Sequence, residues 1–320
     1  MRSSARAPTE PRLPPLLVIC GPTATGKTAL SLDVGAAFPG SEIISADSRQ
    51  VYRGMDIGTA KVSAEDRARV PHHGLDLVAP DEAFSAADFR RHALGALRAI
   101  AARGGLAILV GGTGLYLRAV ARDIPLEETG ADPEVRAGLE RRLAGEGLHA
   151  LVADLRSRAP ATAARTDLAN PRRVVRALER VAVSGDNPPP APRGYPGPIA
   201  WLGLDTDPET NDRWIEERAR WQFANGLLDE AAGLRERYGA ALPAFSAFGY
   251  REAFALLRGE ASRAGAIEQT IARTRRFARR QRTWFRAEPG IRWLDAARDQ
   301  VEAATATAAR LLTDSATGAP

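Results

Sequence analysis

The nonapeptide Cys20-Gly21-Pro22-Thr23-Ala24-Thr25-Gly26-Lys27-Thr28 limits what this chain can fold into more than any other stretch. Before it, Leu16, Leu17, Val18 and Ile19 make a short apolar run of the kind that fills a strand buried on both faces. After it, Ala29-Leu30-Ser31-Leu32 resumes with helical character. A strand, a G-x-x-x-x-G-K-T turn and a helix in that order make a phosphate cradle. Glycines let the backbone curl so that successive N–H groups point inward, the helix offers its positive end, and Lys27 adds a point charge. Gly21, Pro22, Thr23, Ala24, Thr25, Gly26, Lys27 and Thr28 are therefore the expected diphosphate- or triphosphate-binding residues, with the Thr28 hydroxyl the expected Mg²⁺ ligand. The loop alone does not say which phosphate ester it holds.

At 320 residues and 44% apolar, the chain can bury a substantial core in one elaborated domain or two modest ones. No run of 18 apolar residues occurs, and the first fifteen residues lack the apolar segment of a secretory signal, so a cytoplasmic protein with no membrane partner is expected. The single cysteine, Cys20, excludes an internal disulfide and reads as a small buried hydrophobe. A net charge of +5 invites an anionic partner. Of 44 basic residues only Lys27 and Lys61 are lysine; a compact ammonium suits a phosphate cradle, a description Lys27 meets, while Lys61 reads either the same way or as an ordinary surface lysine.

Glu42-Ile43-Ile44-Ser45-Ala46 reads as a second short strand, followed by Asp47. Ligands of open α/β sheets collect at the carboxyl ends of strands, so Asp47 projects toward the crevice that holds the phosphate loop, as a turn cap, a metal ligand or a proton acceptor. Leu106-Ala107-Ile108-Leu109-Val110 is a third buried strand. It ends in Gly111-Gly112-Thr113, where a phosphate-loop ATPase commonly carries an acidic metal-holding residue. Glycines there permit close backbone approach to a ligand, and Thr113 offers a hydroxyl to phosphate or to a base.

GPTATGKT, then DSRQVYRGMDIGTAK beginning at Asp47, then GGTGLY at Gly111 to Tyr116 resemble, in order and spacing, the signature series of the bacterial tRNA dimethylallyltransferases, also called tRNA isopentenyltransferases. The Pro71 to Asp76, Phe84 to Phe89 and Thr274 to Arg286 segments are similar to that family too, and the likeness runs from about Leu16 to about Leu294. It implies transfer of a dimethylallyl group from dimethylallyl diphosphate to N6 of adenosine 37, in the anticodon stem-loop of tRNA. Asp47, Thr113 and Arg218 are then the catalytic residues, Arg218 matching an arginine directed at the diphosphate. The implied tRNA contacts are Asp47, Ser48, Arg49, Gln50, Thr113, Arg136, Asn170, Pro171, Arg172, Arg173, Val174, Gly249, Tyr250, Arg251, Arg275, Arg279, Arg280 and Gln281. The chain departs from the family pattern at Asn170, usually aspartate, and at Ser246, usually a longer polar residue.

The texture changes after Pro125. Ala-, Leu-, Arg- and Glu-rich helical patterns over 127–155 and 171–183 lead to a proline-rich stretch over 188–198, and a further strand follows at Ile199-Ala200-Trp201-Leu202-Gly203-Leu204. The expected organisation is a first core part over 12–126, a helical insertion over 127–195 that binds tRNA in the resembled family, and a second core part with C-terminal helices over 196–320. Near the end, residues 270–286 hold seven arginines and no acid. Arg275, Arg279, Arg282 and Arg286 share one helical stripe, Arg273, Arg276 and Arg280 the next, and Ile267, Ile271, Ala278 and Phe285 face the other way. Seven unpaired like charges repel unless an anion lies against them, and RNA phosphate is the natural one; the apolar face is too small for a membrane surface.

The expected fold is α/β: a parallel phosphate-loop sheet interrupted by a helical insertion, acting as a monomer. Rival readings are an ATP-dependent kinase of a small molecule or nucleotide, a prenyltransferase of free adenine nucleotides, and a non-catalytic RNA-binding protein.

Overall fold

The strands β1 (Leu16–Cys20), β2 (Glu42–Ser45), β3 (His72–His73), β4 (Ala107–Gly111), β5 (Ile199–Asp205) and β6 (Ile291–Asp295) line up as β3-β2-β4-β1-β5-β6, every neighbouring pair parallel. This computed structural model describes residues 13–126, 133–187 and 191–317. The helices on the sheet are α1 (Lys27–Ala37), α2 (Ala64–Arg69), α3 (Ala86–Ala102) and α4 (Gly114–Ala121). An inserted trio follows, α5 (Pro133–Arg158), α6 (Pro160–Ala164) and α7 (Pro171–Ser184). Last come α8 (Pro208–Ala224), α9 (Leu227–Tyr238), α10 (Tyr250–Leu257), α11 (Arg263–Arg286) and α12 (Val301–Thr317).

The central strand explains why the first apolar run is continuous rather than alternating. Leu16, Val18 and Cys20 of β1 pack with Phe89 and Leu97 of α3 and Leu117 of α4, while Leu17 and Ile19 pack on the opposite face with Val34 of α1 and Ala308 of α12. All five β1 residues are fully buried. Burial pushes the Cys20 thiol up to about 12, so it behaves as the expected apolar residue. The other three strands expected from the sequence form as read, within a residue at each end. Two were not legible. β3 is two residues long, and β6 is an edge strand whose Arg292, Trp293 and Asp295 stand exposed, so neither carries a buried apolar run.

By internal packing the chain divides into Met1–Ile124 with Arg193–Pro320, and Pro125–Pro192. In the second unit, Leu151 and Leu155 of α5 pack against Val174 and Leu178 of α7. Helix α5 is interrupted at Gly147, whose φ is 80°. Residues 1–12, the expected start of the insertion at Glu127, the Pro188-Pro189-Pro190 part of the connector and residues 318–320 lie outside the described residues.

Residues 47–61, between β2 and α2, are a long irregular segment tied down by buried polar groups. The Glu230 carboxylate of α9 accepts from the backbone N–H groups of Asp56, Ile57 and Gly58 and from the Tyr250 hydroxyl at 2.6 Å. The Gln222 side chain donates to the carbonyls of Ile57 and Gly58. Lys61 is the second anchor, and here the sequence expectation needs correcting. Its side chain is only 1% exposed, and its Nζ donates to the Tyr52 carbonyl at 2.6 Å, Asp56 at 2.7 Å and Asp76 at 2.6 Å. The position does require a compact ammonium, but to satisfy three internal acceptors rather than a phosphate. Asp76 also receives Arg67 at 2.8 Å; burial would raise its carboxyl, and the hydrogen bonds from Lys61 and Arg67 outweigh that and hold it below the usual range.

Removing the ammonium unpairs the Tyr52 carbonyl and the partly exposed Asp76, while the exposed Asp56 turns to water, so Lys61→Met is expected to cost about 1–2 kcal/mol of stability. Lys61→Arg, with a planar group too large for the same three acceptors, is expected to destabilise as well. Urea unfolding midpoints of both variants against the parent check this, and an unchanged Lys61→Arg midpoint contradicts it.

Candidate active site

Three loops leave the carboxyl ends of neighbouring strands and meet: residues 21–26 after β1, 46–50 after β2 and 112–113 after β4. Their close approach depends on positions without side chains. A Cβ on Gly21 would drive into the Leu204 carbonyl, and one on Gly111 into the Ala46 carbonyl. Together with residues of α8 and α11 these loops line a cavity of about 750 Å³. Into it face Thr23 to Thr28, Asp47 to Gln50, Thr113 and Arg218, so the expected catalytic residues and six of the eight expected phosphate-binding residues are brought together, while Gly21 and Pro22 are buried behind the wall. Trp214, Trp221, Phe248 and Phe277 supply an aromatic part of the wall that the sequence reading did not assign. Only their proximity in sequence to Arg218 and to the arginine-rich helix hinted at it.

Loop 21–26 curls as its motif requires, with Ala24 and Gly26 at positive φ, 65° and 78°, before α1 begins at Lys27. The Thr25 hydroxyl and Lys27 Nζ both donate to the Pro22 carbonyl. Thr23 is held on three sides: its N–H donates to Gln281 Oε1 at 2.9 Å, its carbonyl accepts from Asn211 at 3.0 Å, and its hydroxyl accepts from Arg218 at 2.8 Å. Arg218 makes no ion pair among the described residues, not even with its neighbour Glu217 or with Asp229. Burial, then the neighbouring Arg218 guanidinium, pushes the Lys27 ammonium down to about 8, with Asp47 opposing. Burial lowers Arg218 as well, again opposed by Asp47. Two desolvated cations with one nearby carboxylate form a site that favours an anion of more than one charge.

Asp47 acts as a turn cap and still faces the cavity: Oδ1 accepts from the Arg49 N–H at 2.8 Å. Thr113 Oγ1 accepts from the Ser48 N–H at 3.1 Å, which ties the β4 loop to the Asp47 loop. Other members of the expected set are engaged internally. The Gln50 amide donates to the Thr59 and Ala60 carbonyls and accepts from Ser45. Arg49 donates to the Pro243 and Ala244 carbonyls and, at 3.0 Å, to Ser246.

Among the described residues no group of three or more His, Cys, Asp or Glu side chains is placed to hold a metal. A closed protein cage is therefore not offered. The exposed Thr28 hydroxyl, in the first turn of α1, suits the open manner in which Mg²⁺ joins one protein oxygen to phosphate oxygens and waters.

The expected RNA-contacting residues divide. Val174, Gly249 and Tyr250 are buried, Val174 in the core of the helical unit and Tyr250 with its hydroxyl on Glu230, so the Val174 and Tyr250 side chains are closed to RNA. Arg136 is spent on Glu179, which also receives Arg176 at 2.7 Å. Asn170 caps α7, accepting from the N–H groups of Arg172 and Arg173, while Pro171 takes the first helical position. Arg172, Arg173 and Arg251 are exposed, Arg173 with Asp167 at 3.4 Å.

The expectation of seven unpaired arginines on α11 is overturned. Arg273 pairs with Glu252, Arg275 with Asp212 and Glu216, and the buried Arg282 with Asp205 at 2.8 Å, which Arg286 also approaches at 3.5 Å. The helix carries no acid over that stretch, but its neighbours supply four carboxylates. Arg276, Arg279 and Arg280 remain exposed and without an ion pair among the described residues. Ile271, Ala278 and Phe285 are buried as read.

The model of a family described as IPP transferase matches residues 50–288. The tRNA dimethylallyltransferase of Anaeromyxobacter dehalogenans is 46% identical over 284 residues, 87% of this chain and 94% of that one. That of Roseiflexus castenholzii is 47% identical over 286 residues, 87% of this chain and 91% of its own length. Among solved structures, the full-length tRNA isopentenylpyrophosphate transferase of Bacillus halodurans is 36% identical, with a TM-score of 0.70 over 95% of this chain and 98% of that one.

Pyrophosphate titration by calorimetry tests the cationic cradle. Lys27→Met should weaken binding about tenfold or more at neutral pH. Because the ammonium loses its proton above about 8, the gap between parent and variant should narrow as pH rises through that value. Equal affinities of parent and variant at neutral pH remove Lys27 from the cradle.

Proposed function

The chain belongs to the IPP transferase family, and on that footing we propose that it transfers a dimethylallyl group from dimethylallyl diphosphate to N6 of adenosine 37 in tRNA. The observation that carries this reading is one cavity lined by both the 23–28 loop and the Asp47–Thr113 pair of loops, a donor grip beside an acceptor-side carboxylate. The working unit is taken to be a monomer in the cytoplasm, and the helical unit around α7 is assigned to the RNA.

An exocyclic adenine amine is a poor nucleophile. Asp47 accepts its proton as the N6–C bond forms, and the adjoining Thr113 and Ser48, joined at 3.1 Å, keep that loop in place. The C–O bond of the donor breaks with its electron pair leaving on the diphosphate, and the allylic carbon carries positive charge as it passes across. Lys27, Arg218 and the N–H groups of the loop and the first turn of α1 stabilise the charge that develops on the leaving oxygens. Mg²⁺ held at Thr28 would supply further charge neutralisation on those oxygens. Trp214, Trp221, Phe248 and Phe277 keep water from the cationic carbon and offer faces to an unstacked base, which suits a loop nucleotide better than a paired one. Glycine at the end of β4 leaves no acid there for ATP chemistry.

The test is incubation of the purified protein with unmodified tRNA, dimethylallyl diphosphate and Mg²⁺, followed by nucleoside mass analysis. Adenosine heavier by one dimethylallyl group is expected, and Asp47→Ala should lose about a hundred- to ten-thousand-fold in rate. Parallel reactions with AMP as acceptor, or with ATP alone, should give no product. ATP consumption with unmodified tRNA unchanged would overturn the reading.

A further inference from the structure

We infer that Gln281 is a positioning residue that fixes the distance between the donor grip and the acceptor-side loops of the cavity, rather than a contact to RNA; this rests on the prenyl-transfer reading above. Its side chain is 6% exposed on the inner face of α11. Oε1 accepts the Thr23 N–H at 2.9 Å, and Nε2 donates to the Gly112 carbonyl at 2.8 Å. A single amide therefore spans the loop after β1 and the loop after β4. Each polar end carries one internal bond, which fixes the plane and position of the amide at the cavity wall.

What it joins matters for reaction geometry. Thr23 sits in the loop that holds the leaving diphosphate. Gly112 precedes Thr113, whose hydroxyl accepts the Ser48 N–H beside Asp47. The fit is close on both sides, since a Cβ on Gly112 would run into Nε2 of Gln281. Asn211, 1% exposed and bonded to the Thr23 carbonyl, steadies the same residue from α8, and the Arg282 guanidinium approaches its Oδ1 at 3.4 Å. Bond formation demands that the amine and the allylic carbon lie about 3–3.5 Å apart and aligned, and an error of about 1 Å costs on the order of a hundredfold. A brace across the cavity therefore acts on the chemical step and leaves the binding of each substrate nearly untouched.

Gln281→Met keeps the volume and removes both hydrogen bonds. The expected result is a kcat lower by about a hundredfold, with KM for tRNA and for dimethylallyl diphosphate each within about threefold of the parent. Hydrogen exchange at the Thr23 amide should accelerate about tenfold or more, as a lost hydrogen bond of about 1.4 kcal/mol implies. Gln281→Glu retains an acceptor for Thr23, so that amide should stay protected. Gly112→Ala, which presses on the brace from the other side, should reproduce the kcat-selective loss. A raised KM for tRNA with normal kcat makes Gln281 an RNA contact and overturns the inference, and so does a lowered melting temperature with normal kcat. Should the parent itself transfer no prenyl group, the function reading falls alone. The Thr23 exchange then decides the brace, with unchanged exchange in Gln281→Met overturning it.

Discussion

Everything at the working edge of the sheet depends on backbone packed directly against backbone. Gly21 lies against the Leu204 carbonyl and Gly111 against that of Ala46, distances that no side chain tolerates. Without that closeness the loops after β1, β2 and β4 would splay, and the carboxylate, the hydroxyl and the N–H cradle would stand too far apart to share one cavity. The fully buried β4 between β2 and β1 makes this possible, because its neighbours on both sides are parallel and deliver their carboxyl ends to the same place.

The charge arrangement follows from the same crowding. Lys27 and Arg218 are held near each other, both partly buried in the cavity wall, and both are pushed below their ordinary values. On the proposed reading, that cost is offset when a diphosphate ester enters, which would favour such a ligand over a neutral one. Lysine suits this position because a compact ammonium fits beneath the loop, where it donates to the Pro22 carbonyl. The other lysine, Lys61, obeys the same steric rule in a purely structural setting, where its three donors meet Tyr52, Asp56 and Asp76.

Helix α11 divides its labour around its circumference. One part is apolar core, with Phe285 fully buried against the sheet. A second consists of arginines neutralised by carboxylates that arrive from Asp205, Asp212, Glu216 and Glu252. A third keeps Arg276, Arg279 and Arg280 turned to solvent. RNA affinity from this helix would therefore rest on about three phosphate contacts rather than seven, which lowers the expected salt dependence in proportion.

The amino-acid order by itself determined the α/β class, four of the six strands, the phosphate loop and the family resemblance, because these reside in short contiguous patterns: an apolar run, a glycine spacing, a signature block. It also favoured a buried Cys20 and marked Lys27 as a position for a compact ammonium, whereas the demand for lysine at position 61 came from the fold. Tertiary structure alone decided which polar groups remain available. Gln281 and Thr23 are 258 positions apart and Asn211 and Thr23 are 188 apart, yet those bonds close the wall of the cavity. Tyr250 and Val174 sit in motif-like stretches but are buried, and four of the seven α11 arginines are cancelled by acids on other elements. The physical reason is common to all of them: a side chain's neighbours along the chain fix its local conformation, whereas its hydrogen bonds, burial and charge balance are set by whatever folding brings against it.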